Sequence, residues 1–376
     1  MKRSIPLHRF VVAFFAAGAA IAGASPPPKD NGTYQLHMLV SDGSVAADHV
    51  DANLVNAWGV AFNPFGVVWV ANNHTGTSTL YDGAGNPVPL VVAIPSPADA
   101  SGGSPTGIVF NASTGFTVSN GTTTGASRFI FATEDGVIAG WAPNVDGTHA
   151  LRAVDNSAGG AVYKGLALSA GGSGQLLYAT DFHNAKVDVF DSKFAPASLP
   201  AGAFVDAKIP PGFAPFGIQA INGDVYVTYA MQDADKHDDV HGPGLGYVDV
   251  YDPNGKLLHR VVSRDPLNAP WGLALAPAGF GRLGGSLLVG NFGDGRINAY
   301  DPISGTLLGR LRDVQHVPVK IDGLWGIAFG SGSAGQPVDT LFFAAGPGGE
   351  EHGVYGRIDV LTSGSTATSD DDSHDD

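Results

Sequence analysis

The sequence predicts an all-β fold, a six-bladed β-propeller, from a recurring glycine motif and from a composition that suits short strands. The chain has 53 Gly and 25 Pro among 376 residues, interleaved with β-branched and aromatic residues. This composition favours many strands joined by turns and disfavours long helices. The motif is a small or aromatic residue, then Gly, then alternating apolar residues, and its copies start at Trp58, Thr106, Lys164, Phe216, Trp271 and Trp325. Successive motif glycines lie 48, 58, 52, 55 and 54 residues apart, a period typical of propeller blades.

Each motif is expected to be the first of four antiparallel strands in a blade. A second apolar strand follows, such as residues 67–71, and a third strand commonly ends in an aromatic residue and Asp, such as Tyr251 and Asp252. A turn such as residues 253–255 (Pro-Asn-Gly) then leads to a fourth, outer strand.

The sixth repeat lacks a fourth strand on its C-terminal side, because the sequence after residue 361 is rich in Ser, Thr and Asp. A strand-like segment, residues 34–40, precedes the first repeat. We therefore expect this N-terminal strand to complete the last blade and close the ring, which removes an exposed sheet edge. The predicted propeller spans residues 34–361, and residues 362–376 are predicted to be an acidic disordered tail.

Residues 1–24 have the layout of a signal peptide. Lys2, Arg3 and Arg9 supply positive charge, residues 10–21 are apolar, and residues 22–24 (Ala-Gly-Ala) resemble a cleavage site. This predicts a secreted or periplasmic protein without a membrane-spanning segment after cleavage, because a spanning helix needs roughly 20 apolar residues. Cysteine is absent, which excludes disulfides and thiolate metal sites, and the net charge of −15 argues against nucleic acid as a partner.

One repeat carries a recognisable family pattern. After the strand over residues 177–180, Asp181, Asn184 and Lys186 form the Asp-x-x-Asn-x-basic pattern that resembles an NHL repeat. Over residues 34–361 the chain resembles an uncharacterised bacterial family of exported, NHL-like six-bladed propellers, through residues 53–59, 232–239 and 345–353. Some members carry a C-terminal membrane-sorting tail, which this sequence lacks. The resemblance implies the fold and export, and it implies no activity.

The candidate functional residues lie in the loops between second and third strands, which share one propeller face with the connections between blades. Function commonly resides on such loops. The expected binding face carries Asn72, Asn73, His74, Glu134 and His183. The candidate metal ligands are Asp181, Asp233, Asp235, His237, Asp238, Asp239, His241, Asn291, Glu350, Glu351 and His352. Two loops stand out, an acidic insertion over residues 231–246 in blade four and residues 350–352 (Glu-Glu-His) in blade six.

Carboxylate and amide oxygens that converge on such a face suit Ca²⁺ or another divalent cation, and the histidines also suit Zn²⁺. Gluconolactonase-like and paraoxonase-like propellers resemble this arrangement in binding a cation at the channel mouth. A second interpretation stays open at this point. Asp and Asn residues after a strand often bond their own backbone and stabilise the turn, which would account for Asp181, Asn72 and Asn291 without a ligand.

Two functions from different classes are compatible with these residues. The favoured one is a module that binds a small molecule or an extracellular or envelope protein through the acidic loop face, and it needs no catalytic set. The alternative is a metal-dependent hydrolase of the lactonase or esterase kind, with a histidine as general base, for which the candidates are His74, His183, His241 and His352. No nucleophile elbow or His-Glu-x-x-His motif is present. Whether the protein is an enzyme, or only a scaffold, stays open.

Overall fold

Six sheets surround a central channel in the computed structural model, which describes residues 30–171 and 174–362. The first strands of consecutive blades contact one another in a closed ring, because the first strand of blade six contacts that of blade one. The prediction of a six-bladed β-propeller is therefore confirmed.

The strands follow one another with short connections. Those that precede and build blades one and two are β1 (Asp30–Ser41), β2 (His49–Val50), β3 (Ala57–Phe62), β4 (Val68–Asn72), β5 (Thr77–Tyr81), β6 (Val92–Ala93), β7 (Pro105–Phe110), β8 (Thr117–Ser119), β9 (Thr124–Ala126), β10 (Phe129–Thr133), β11 (Val137–Trp141) and β12 (Leu151–Asp155). Blades three and four contain β13 (Tyr163–Gly171), β14 (Gly174–Asp181), β15 (Lys186–Phe190), β16 (Phe213–Ile221), β17 (Asp224–Gln232), β18 (Asp239–Val240), β19 (Tyr247–Tyr251) and β20 (Leu257–Ser263). Blades five and six contain β21 (Pro270–Leu275), β22 (Leu287–Asn291), β23 (Ile297–Tyr300), β24 (Leu307–Arg310), β25 (Leu324–Phe329), β26 (Leu341–Ala345) and β27 (Val354–Thr362). Two short 3₁₀ helices, Ser157–Gly159 and Gly281–Leu283, lie in connections.

In blades one to five the strands pair outward from the channel in chain order. Blades one and five have the orders β3-β4-β5-β6 and β21-β22-β23-β24. Blade two has the order β7-β10-β11-β12, with a separate hairpin of β8 and β9 inserted after its first strand. Blade four has the order β16-β17-β19-β20, and β18 pairs with the end of β17.

The motif glycines lie where inner strands of neighbouring blades approach each other closely. A Cβ atom built at any of them would lie well inside contact distance of the next blade's backbone, so only hydrogen fits there. The distances are 2.5 Å from Gly59 to the Thr106 oxygen, 2.4 Å from Gly107 to the Leu166 nitrogen, 2.9 Å from Gly165 to the Phe216 oxygen, 2.0 Å from Gly217 to the Trp271 oxygen, 2.6 Å from Gly272 to the Trp325 oxygen and 2.4 Å from Gly326 to the Trp58 oxygen. This glycine ring explains why Gly recurs once per blade.

Blade six closes the ring as predicted. Strand β1 pairs antiparallel with β27, for example Tyr34 with Val360, and β2 adds a parallel edge beyond β1. The two faces of β1 pack in different directions. Leu39 is buried in a cluster shared by blades six and one, whereas the ring of Tyr34 packs 4.9 Å from that of Phe280 in blade five.

Blade three departs from the prediction of four strands. Its sheet, β13-β14-β15, has three strands, and the segment expected to form the fourth makes only an isolated bridge between Phe190 and Pro196. The physical reason is the proline content of that segment, which contains Pro196, Pro200 and Pro210. Proline has no N–H to donate, so such a segment cannot sustain a strand ladder.

Two predictions concern residues outside the described ranges. The predicted signal peptide, residues 1–24, lies wholly outside them, as do residues 363–376 of the predicted tail. Both stay predictions, and so does export. Within the described ranges there is no helix with the length and apolar character needed to cross a bilayer.

Gly217→Ala is predicted to destabilise the fold strongly, because its Cβ would lie 2.0 Å from the Trp271 carbonyl oxygen in the neighbouring blade. Overpacking of this kind costs about 3 kcal/mol, since backbone must move to relieve it. Urea unfolding monitored by circular dichroism measures the loss. The matched control is Gly147→Ala, where the added Cβ meets nothing within 4 Å and stability should change by less than about 0.5 kcal/mol. Equal effects of the two variants would contradict the glycine ring.

Leu39→Ala is predicted to lower the free energy of unfolding of the whole propeller by about 2 to 4 kcal/mol, because it leaves a cavity between the closing strand and blade one. Leu39 is 2% exposed. Gln35→Ala on the same strand is the control, since its side chain is exposed. A Leu39→Ala variant with unchanged unfolding would show that β1 is a dispensable appendage.

Candidate functional site

At the end of a second strand, the side chains of consecutive residues point in opposite directions. Asn72 and Asn291 end their strands and are fully buried inside their blades. The next residues, Asn73 and Phe292, instead contact groups from other blades at the channel axis. A shift of one residue therefore separates a turn-stabilising side chain from one at the channel mouth, as the alternation of a strand requires.

The channel is closed by an aromatic cluster that consists mainly of the residues before the motif glycines. Trp58 and Trp325 stack with ring centroids 3.5 Å apart, and Trp271 packs edge-on against both. Phe292 of blade five stacks on Trp325 at 3.8 Å, and Phe216 packs against it at 5.8 Å. Trp58 and Trp325 are each 1% exposed. These rings are the floor of the candidate site.

Lys164 lies on this floor and is the electrostatic centre of the site. It occupies the position before a motif glycine that Trp or Phe occupies in four other blades, and it is 2% exposed. Its ammonium lies 5.3 Å from the Trp58 ring centroid, within the range of a cation–π contact. The Lys164 ammonium donates to Glu134 Oε1 of blade two and, over 3.1 Å, to Asp238 Oδ1 of blade four.

Asn56, Asn73 and Glu350 complete what we call the axial polar cluster, with Glu134, Lys164 and Asp238. Asn73 Nδ2 donates to Glu134 Oε2 over 2.7 Å, and Asn56 Nδ2 donates to Glu350 Oε2 over 2.7 Å. Both asparagines are buried, and Asn56 Oδ1 accepts from the Trp325 indole over 3.2 Å. Hydrogen bonds thus link the cluster to the aromatic floor.

The charges in this cluster shift one another's ionisation. Burial lowers the pKa of Lys164, but the neighbouring carboxylates Glu134 and Asp238 outweigh it, so the net shift is upward and the ammonium stays charged. Burial raises the pKa of Glu350; the Asn56 hydrogen bond opposes this shift, and the negative charge of Glu134 adds to it. The site therefore contains one stably protonated ammonium, that of Lys164, and carboxylates whose negative charges repel one another.

The acidic insertion of blade four lies beside this mouth, and its members differ in their contacts. Asp238 reaches Lys164, and His237 Nδ1 lies 2.9 Å from Asp238 Oδ1. Asp233 accepts the backbone N–H of His237, and Asp235 is exposed. His241 pairs with Asp239 at 3.0 Å, and its ring packs against Phe292.

The Asp239 contact raises the pKa of His241, and the charge of Glu350 contributes to the same shift. The ring of His241 therefore lies near enough to Glu350 to interact with its charge.

Other predicted residues lie away from the axial cluster. Asp181 accepts hydrogen bonds from the backbone of Val162 and from both the backbone and side chain of Asn184, which are turn contacts. Asn72 donates to threonine hydroxyls of its own blade, and Asn291 donates to Asp294 and a backbone oxygen.

The remaining candidates lie in the loops on the same face. His74 and Glu351 are exposed, and His183 is partly buried. His352 Nδ1 lies 2.9 Å from Asp42 Oδ2, while the backbone oxygen of His352 accepts from the Asn56 N–H. None of these side chains joins the axial polar cluster as the structure describes it.

The geometry offers one group of metal-type donors within the described residues, formed by Glu134, His237 and Asp238. Their donor atoms all lie within 4.8 Å of one another. The Lys164 ammonium already binds Glu134 Oε1 and Asp238 Oδ1, so it occupies the space between two of these three donors. A metal ion would compete with this internal cation.

Lys164, the cation of this cluster, was not among the predicted site residues. The available signal for Lys164 was its position before a motif glycine, since a charge among aromatic residues at equivalent positions indicates a charged partner nearby. Asn56 lies two residues before the Trp58 motif position and carries a φ of +48°. Sequence periodicity does not report such a turn.

The fold and the site together define a class, a six-bladed β-propeller with an acidic polar cluster at one channel mouth. No protein family model matches the chain. It is 36% identical over 304 residues to an uncharacterized protein of Acanthamoeba polyphaga mimivirus, an alignment that covers 79% of this chain and 74% of the viral protein. A second uncharacterized protein of that virus is 34% identical over 309 residues, which cover 80% of each chain. The chain belongs to the family of these two mimivirus proteins.

Solved structures support the fold. A protein of unknown function from Bacteroides thetaiotaomicron is similar with a TM-score of 0.54 and 11% identity, covering 87% of this chain and 76% of that one. A streptogramin B lyase (TM-score 0.50, 12% identity) covers 87% of this chain and 98% of its own. A glucose dehydrogenase is similar with a TM-score of 0.50 and 13% identity, and the alignment covers 88% of this chain and 100% of the dehydrogenase. The identified relatives are viral, so membership of a bacterial family stays a prediction.

Glu350→Gln is predicted to change the pH dependence of stability. Because burial raises the pKa of Glu350, the folded protein retains this proton to higher pH than the unfolded chain, whose ordinary value is 4.5. Stability therefore declines as the pH rises from 4.5 through the raised folded value. Glu350→Gln should lack this decline, with Glu351→Gln as the exposed neighbouring control. Urea unfolding between pH 4 and 8 tests it, and parallel wild-type and Glu350→Gln profiles would contradict the assignment.

Proposed function

We propose that the protein is a ligand-binding propeller whose acidic channel mouth binds a small, positively charged ligand, either a divalent metal ion or an organic amine. The observation that carries this proposal is the axial polar cluster. Glu134 and Asp238 bind the single ammonium of Lys164, and Glu350 is near enough to interact with its charge, which leaves two negative charges in excess when all three carboxylates are ionised.

Electrostatics supports a cationic ligand at this position. Burial and the charge of Glu134 raise the pKa of Glu350, so a further positive charge would relieve an existing repulsion. Charge interactions are stronger in such a partly desolvated site than in bulk water. The aromatic floor closes the channel below Lys164, so the ligand binds at the mouth and does not pass through. The export predicted from residues 1–24 would make it an extracellular or envelope molecule.

The second candidate is a metal-dependent hydrolase of the lactonase or esterase kind. Its specific support is the group of Glu134, His237 and Asp238, whose oxygen and nitrogen donors suit Zn²⁺. In that case the metal would polarise a substrate carbonyl. The ammonium of Lys164 favours the binding module over the hydrolase. A metal ion bound by Glu134, His237 and Asp238 would have to displace this ammonium from Glu134 and Asp238.

Calorimetric titration of the protein with Ca²⁺, Zn²⁺ and putrescine tests the proposal. At least one cation should bind, and Asp238→Asn should weaken it about tenfold through loss of a charge-assisted contact. Asp238 is 66% exposed, so the variant should fold. Asp301→Asn is the control, because Asp301 stabilises a turn between third and fourth strands through backbone contacts. Absence of binding by all three cations would contradict a cationic ligand.

His237→Ala separates the two candidates within the same titration. If the protein is a hydrolase, the wild type should hydrolyse simple lactones or esters in a reaction that a chelator inhibits. His237→Ala should then lose both this activity and Zn²⁺ binding. The binding module requires only the carboxylates, so putrescine binding should survive the substitution. Zn²⁺-dependent hydrolysis that His237→Ala abolishes would favour the hydrolase and overturn the simpler proposal.

A further inference from the structure

A second cavity lies on the propeller face opposite the axial polar cluster, between blades one and two. It is a cleft of about 660 Å³. Its walls include the connections between first and second strands of both blades, at Phe65 and Ala112, and the connection after β11, at Pro143. It therefore shares no residue with the axial polar cluster.

The floor of the cleft is a rigid aromatic stack. Trp69 stacks on Phe129 with centroids 4.1 Å apart and lies 4.6 Å from Trp141. These three rings are 3%, 1% and 8% exposed, so their positions are determined by core packing. Leu80 and Leu90 add aliphatic walls. The half-buried side chains of Val88, Leu90 and Phe110 pack against this stack and give the cleft an apolar surface that suits a flat apolar or aromatic group.

The rim of the cleft carries a cation, Arg128, at a firmly held position. The Arg128 N–H donates to the Trp141 oxygen over 2.7 Å, and its oxygen accepts from the Asn111 N–H over 2.8 Å. Its guanidinium makes one long contact, 3.5 Å from Nη1 to the Ser113 oxygen. Among the residues that the structure describes, it has no carboxylate partner within ion-pair distance. Free donors thus face solvent beside an apolar cleft.

Phe65 forms the other exposed part of the rim. Its side chain is 85% exposed, which is unusual for a phenylalanine, and its N–H donates to Asn63 Oδ1. The rim therefore combines one aromatic side chain and one guanidinium above an aromatic floor. A planar ligand with a negative group at one edge can satisfy all three.

We propose that this cleft is a second binding site, specific for a small aromatic carboxylate. The size of the cavity is within the range of small-molecule sites. The apolar lining of the cleft accepts the ring of the ligand, and the guanidinium of Arg128 binds its carboxylate, for which a forked donor is well suited. The guanidinium of Arg128 decides the charge class of the ligand, because it is a cation at the rim whose one polar side-chain contact in the described part of the chain is the long one to the Ser113 oxygen.

Calorimetric titration of the full chain with 2-naphthoate, and with the uncharged 2-naphthamide, tests this site. The carboxylate should bind more tightly than the amide, and Arg128→Gln should weaken naphthoate binding about tenfold while leaving the amide unchanged. Arg312→Gln is the matched control, since Arg312 is also exposed and donates from Nη1 to a backbone oxygen, that of His316. Ala112→Phe, which fills the cleft from an exposed position, should abolish binding of both probes.

Three results would overturn the proposal. The first is that naphthoate does not bind to the wild-type protein. The second is that Arg128→Gln and Arg312→Gln have equal effects, which would make the attraction a general charge effect. The third is a dimer in sedimentation velocity that Phe65→Ser dissociates, which would assign this face to contact between two copies. Each result is independent of the cation titration at the axial polar cluster.

Discussion

The close approach of inner strands at the glycine ring is the constraint on which the rest of the structure depends. At Gly217 the backbone of the next blade lies where a Cβ atom would have to be, and each neighbouring pair of blades repeats this contact. The blades can therefore close at a small radius. The side chains that precede the glycines then meet at the axis, where Trp58 and Trp325 stack with centroids 3.5 Å apart. Stacking of this kind adds to the free energy already gained from burial.

The candidate site is a consequence of the same closure. In blade three the axial position holds Lys164, and a buried ammonium is stable only if carboxylates pair with it. Glu134 and Asp238 come from the two neighbouring blades and meet this need. Glu350 arrives from blade six and is bonded to Asn56. Because its contributors come from several blades, the site exists only when the ring is closed.

The two faces of the propeller offer different chemistry for a topological reason. Connections between second and third strands, together with those between blades, lie over the acidic mouth. The connections between first and second strands, and those between third and fourth strands, lie on the other face. An apolar cleft lies there between blades one and two. The hairpin of β8 and β9 lengthens one of these connections, and Arg128 lies between this hairpin and β10. The chain thus presents carboxylates at one channel mouth and a guanidinium beside an apolar cleft on the opposite face.

Local patterns were sufficient to predict the architecture, because a blade is built from short-range features. The glycine period, the alternation of strands and the missing fourth strand of blade six together predicted six blades and closure by residues 34–40. Blade three was the exception, since its prolines removed the ladder donors. The sequence by itself also assigned Glu134, Asp238 and Glu350 to loops of one propeller face. Only the tertiary structure decided which side chains meet. Strand alternation directs Asp181 into its own loop and Phe292 toward the axis. The partners of Lys164, Glu134 and Asp238, are separated from it by 30 and 74 residues in the chain, so no local pattern pairs them.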